Sequence, residues 1–123
     1  MNFVEMEILK MLNHKQIEKL KANWGEKAEA MSCFAEVRVY DPNSFWECYI
    51  YSLNPEDEDE IDCIVKVGKD QPACVERWFL TNIKCLFNSH GEGVKVDLEY
   101  RPKRAAELFK KLNESRIYDA HRD

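Results

Sequence analysis

The chain has 123 residues, 45% of them hydrophobic, with four Gly, four Pro and a formal net charge of −5. That length and composition fit one globular domain and exclude a disordered or collagen-like chain. No apolar run approaches the roughly 20 residues of a membrane span, and the acidic balance argues against direct nucleic-acid binding through phosphate neutralisation.

In chain order, Phe3, Met6, Leu9 and Leu12 recur at helical spacing, and Asn13-His14 interrupts them. A second helix follows, with Ile17 and Leu20 inward and Lys15, Glu18, Lys19 and Lys21 outward. Trp24-Gly25 is its stop, so residues 1–24 form a helical N-terminal part. The opening "MNFVEMEILKML" carries Glu5 and Glu7 where an export signal wants positive charge, so the cytoplasm is the expected location.

From Ala35 the period changes to two. "AEVRVY" sets Ala35, Val37 and Val39 on one face, "DPNS" is a turn, and "FWECYIYSL" resumes as a strand, apolar on both faces apart from Glu47 and Ser52. "IDCIVKV" is the next strand and "ERWFL" a fourth. Thr81 is the expected N-cap of a short helix near 82–87. "VKVDLEY" reads as a closing strand with Val94, Val96, Leu98 and Tyr100 inward. The sheet therefore spans 35–101, a C-terminal helix spans 103–112, and 113–123 is left as a tail. The order predicts a single α+β domain with four to five mostly antiparallel strands.

Charge is unevenly spread. Glu36 to Asp62 holds nine acids and one base, whereas Arg101 to Asp123 holds seven bases and four acids. Six of the seven residues from Glu56 to Asp62 are acidic. Counted as a calcium loop from Asp57, the sixth position is Asp62 and the twelfth is Gly68, so the pattern fails. β-periodic runs on both sides make the stretch a solvated hairpin connection, or else an acidic surface that imitates a row of phosphates.

Few residues suit catalysis. The three His (His14, His90, His121) have no metal-ligand spacing, and no phosphate-binding glycine loop or nucleophile elbow is present. Neither a metal site nor a cofactor is expected. The five Cys are odd in number and lack C-x-x-C spacing, which predicts reduced structural thiols. One enzymatic pattern remains: on a continuous strand, Asp97 and Glu99 share a face and, with Lys95, would form a metal-dependent nuclease site.

Several segments together resemble Domain of Unknown Function family 2958. "VRVYDPNSFWECYIYSLNPED" is similar to its strand, Pro turn, Trp-containing strand and Asx-Pro-acid-acid turn. "WFLTNIKCLFN" resembles its strand and short helix, "GVKVDLEYRP" its closing strand and "HKQIEKL" its opening helix. The likeness runs from Lys15 to Leu112. "KVGKDQPACVERW" departs from the family's Gly-rich aromatic segment, and "NSHGEG" replaces a shorter basic turn. Members are small proteins of plasmids, phages and integrated elements, so the resemblance implies a mobile-element accessory protein, working in a host's cytoplasm where phage-borne. It implies no activity.

The sequence thus favours a non-enzymatic binder over an enzyme. Its expected surface joins Trp46, Glu47 and Tyr49 to Glu56, Asp57, Glu58, Asp59 and Glu60, facing a basic protein partner. In a mobile-element setting that partner is a host nucleic-acid-handling or defence complex, and the role anti-CRISPR or anti-restriction. No membrane partner is expected, and a homo-oligomer is compatible with the sequence.

Overall fold

The computed structural model describes residues 12–87 and 94–120, the side chains of 84–87 and 115–120 excepted. The predicted helix over Phe3, Met6 and Leu9 lies outside them. Helix α1 (His14–Asn23) opens with a capping box: the Asn13 carboxamide accepts from the Gln16 N–H at 2.8 Å and Gln16 accepts from the Asn13 N–H at 3.0 Å. Ile17 and Leu20 are its buried stripe. The chain then turns at Gly25, whose φ of +100° lies where side chains are strained although a Cβ there would meet nothing.

A single helical turn, α2 (Glu26–Glu29), unforeseen from the pattern, comes next, and then the short strand β1 (Phe34–Ala35), which takes Ala35 out of the predicted run "AEVRVY". Strands β2 (Val37–Tyr40), β3 (Glu47–Asn54), β4 (Asp57–Lys66) and β5 (Cys74–Phe79) lead into α3 (Leu80–Phe87). Strands β6 (Lys95–Val96) and β7 (Lys103–Arg104) precede α4 (Ala105–Ala120). The main sheet has the order β5-β4-β3-β2-β6 and is antiparallel throughout, while β1 and β7 pair separately. This is the expected α+β class.

Alternation sends Val37, Val39, Cys48, Ile50, Cys63 and Val65 to one face, where they pack with Leu20 of α1 and with Leu80 and Ile83 of α3. Tyr49, Tyr51 and Ile64 go to the other, against Ala28 of α2 and Ala105 and Leu108 of α4. Cys33, Cys48 and Cys63 are buried free thiols and Cys74 an exposed one. Burial pushes the Cys33 thiol up, and the contact with Cys48, with burial, does the same for Cys63. No helix among the described residues is long and apolar enough to cross a membrane.

Two predicted elements near the C-terminal end change their bounds. The closing strand ends at Val96, because the Asp97 carboxylate accepts from the Glu99 N–H at 3.0 Å and bends the chain into a turn; Leu98 is 93% exposed rather than inward. The C-terminal helix begins at Ala105 and runs to Ala120 instead of ending at Leu112. No Gly or Pro interrupts 113–120, and the Asn113 carboxamide grips both the N–H and the C=O of Ala73, at 3.0 and 3.3 Å.

Candidate functional site

The acidic stretch is mostly strand, not hairpin tip. Only Pro55-Glu56 forms the turn, and the Asn54 carboxamide accepts from the Glu56 N–H at 2.9 Å. Asn54 pairs with Asp57 and Leu53 with Ile61, so Glu58, Asp59 and Glu60 are three residues of β4 with no counterpart on β3. This bulge turns the acids outward from the hairpin toward three different elements. Glu58 forms an ion pair with Lys21 of α1. Asp59 accepts from the Thr81 N–H at 2.9 Å and the Thr81 hydroxyl at 2.8 Å, so it, rather than Thr81, caps α3. Glu60 lies 3.8 Å from Arg77 of β5.

Asp62, only 9% exposed, sits deeper. It accepts from the Ser52 hydroxyl at 2.6 Å and from Arg77 Nε at 3.0 Å, and the Arg77 guanidinium lies 4.6 Å over the Trp24 ring. Six carboxylates thus face two cations, Lys21 and Arg77, leaving a local charge of −4 at this end of the hairpin. Glu56 and Asp57 are the exposed members, and no cation is paired with either among the described residues.

The other half of the predicted surface lies at the opposite end of β3, about 20 Å away at the usual strand rise. Trp46 and Tyr49 are each 6% exposed, so neither is a surface anchor. Trp46 packs on Trp78, ring centroids 6.1 Å apart, and Tyr49 on Tyr100 at 5.7 Å. Glu47 Oε1 accepts from Arg38 at 2.7 and 2.9 Å and from the Tyr49 hydroxyl at 2.8 Å; Arg38 also donates to Asp97 at 3.0 Å. Burial first, and Glu47 second, push the Tyr49 phenol above its ordinary range. The expected surface is therefore two regions, and its aromatic part is core. Beside this network a groove of about 290 Å³ runs between Tyr40, Phe45, Lys66 and Lys69. Phe45, 66% exposed, is the aromatic that does face solvent here.

The turn at Asp97 also separates the residues of the nuclease reading. Lys95 lies on β6, Asp97 is bound to Arg38 and to the Glu99 N–H, and Glu99 is exposed beyond the strand. The shared strand face on which that reading rests is absent. Among the described residues no three His, Cys, Asp or Glu side chains come together to hold a metal ion.

No family model, no curated protein and no solved structure matches the chain. Sequence reasoning missed Arg77 and Ser52 as partners of Asp62. Ser52 alone carried a signal, as the one small polar residue inside an apolar run. It missed Phe45 as well, taking it as a strand residue when it belongs to the exposed turn before β3.

Proposed function

We propose that this is a non-enzymatic binding protein that presents the acidic end of the β3–β4 hairpin to a basic protein surface. The observation that carries the reading is the uneven neutralisation of the acidic stretch. Glu58, Asp59, Glu60 and Asp62 are held by other elements of the fold, while Glu56 and Asp57 are exposed at the turn with no cation on either among the described residues, Asp57 accepting only the local Asp59 N–H at 3.2 Å, in a stretch with a local excess of −4. The local negative field steers a cationic partner toward this exposed carboxylate pair. The likeness to family 2958 supplies a setting: a mobile-element accessory protein whose partner is a host nucleic-acid-handling complex, with an anti-defence role.

The test is co-purification of the tagged protein at low salt from a bacterial host with active defence systems, compared with a Glu56→Lys/Asp57→Lys variant. A stoichiometric basic partner, lost on charge reversal and weakened by added salt, is the expected result. Equal recovery with both proteins would sink the reading. Reversing Glu58 or Asp59 is less informative, because each is engaged with another element of the chain and its reversal would also perturb stability.

A further inference from the structure

The two edges of the main sheet are unequal. On one side the sheet ends in β6, two residues long. On the other it ends in β5, six residues in unbroken register with β4, and among the described residues nothing pairs with its outer side. Natural edges are guarded by shortness, bulges, proline or outward lysine. "CVERWF" has no bulge, proline or lysine, and its only guards are the charges of Glu76 and Arg77. Its two charges are engaged inside the chain: Glu76 accepts from Trp78 Nε1 at 2.7 Å, and Arg77 is tied to Asp62. Val75 and Phe79, on the same face as Arg77, are 46% and 40% exposed.

We propose that β5 is a homodimer interface, in which two copies pair their β5 edges antiparallel about a two-fold axis to form one ten-stranded sheet. A continuous sheet requires opposed residues to share a face, so the axis passes beside a single residue. Centred on Arg77, the pairing sets Val75 against the second copy's Phe79, twice by symmetry, and Glu76 against the second copy's Trp78. The exposed apolar pair is thereby covered and the indole N–H gains a second carboxylate within reach. Each Arg77 meets its counterpart while remaining neutralised by its own Asp62 and Glu60. Centring on Glu76 instead opposes two carboxylates and sets Val75 against Arg77. The Arg77-centred register is therefore the one that the side chains fit, and the second copy is the occupant that supplies it.

The test has two parts, both on the full chain. Sedimentation across a concentration series should show a dimer whose Kd rises about tenfold or more in Val75→Lys, since that change breaks both symmetric apolar pairs. Directly opposed residues sit about 4.5–5.5 Å apart at Cα, within disulfide reach. In a Cys74→Ser background, Val75→Cys mixed with Phe79→Cys should give a covalent heterodimer on mild oxidation, while neither variant alone cross-links comparably. A monomer throughout the series would overturn the proposal. So would a dimer indifferent to Val75→Lys, or a mixture that cross-links no better than its components, as when the edge serves a strand from another protein.

Discussion

The two faces of the sheet solve burial differently. Under α1 and α3 the contacts are apolar: Leu20, Val39, Ile50, Leu53, Ile61 and Ile83 are all fully buried. Under α2 and α4 the sheet also buries Tyr49, Tyr51, Ser52 and Asp62, each of which brings polar atoms into the interior. Among the described residues no buried side-chain nitrogen or oxygen lacks a hydrogen-bond partner. The first face gains stability mainly from volume and dispersion, which are indifferent to pH, with the raised Cys63 thiol as a titratable group within it. The second depends on a set of hydrogen bonds and ion pairs, which fix geometry but respond to protonation. Breaking the apolar face should have the largest effect. Ile50→Ala is expected to cost about 2–5 kcal/mol in urea unfolding, with a penalty that stays the same as pH changes.

Alkaline pH should act chiefly on the other face, which holds the buried phenols. Burial raises the phenols of Tyr49 and Tyr51 above their ordinary range, helped by Glu47 and Asp62 respectively, and pushes Tyr100 up to about 12. In the unfolded chain these phenols ionise near the ordinary tyrosine value of about 10. The folded state therefore holds its protons more tightly, and its stability is complete below that value. As pH climbs past 10 the unfolded chain ionises first, and stability drains until the folded phenols ionise in turn. The urea midpoint should fall over this window in wild type and in Ile50→Ala alike. A flat midpoint up to pH 12 would mean that the phenols are not buried as described.

Much of the apolar face was legible in the sequence because it obeys a period. Val37 and Val39 alternate, Ile17 and Leu20 lie a helical turn apart, and Ile61, Cys63 and Val65 alternate again. The polar face was not legible, because its logic is long-range. Asp62 meets Ser52 through β3–β4 register and Arg77 through β4–β5 register, and a bulge that sets Tyr51 and Ser52 together governs the first of these. The strand predicted over 94–100 is cut short to Lys95–Val96 for a related reason. Its alternation was sound, but Asp97 has a better use for its carboxylate in bonding Arg38 and its own turn. The candidate site was half legible: the acidic stretch was visible at once, but its division into held and free carboxylates depends on Lys21, Thr81 and Arg77 from three other elements.

That division yields the smallest and most discriminating prediction. Asp59 is a helix cap supplied from a strand, two bonds to Thr81 at the first turn of α3, in a part-buried setting where water is a poor substitute. Asp59→Ala should cost about 1 kcal/mol, the usual worth of such a cap. Glu56→Ala, three residues earlier in the same acidic run, removes a carboxylate with no partner among the described residues and should change stability by less than about 0.5 kcal/mol of either sign. The relief of repulsion among neighbouring acids pushes both variants toward greater stability, so the difference between the two urea midpoints is the cleaner quantity. If both substitutions are equally neutral, Asp59 contributes no cap, and the acidic run is uniform surface. If Asp59 alone is costly, the fold holds one set of carboxylates for itself and leaves Glu56, with Asp57, to meet a partner.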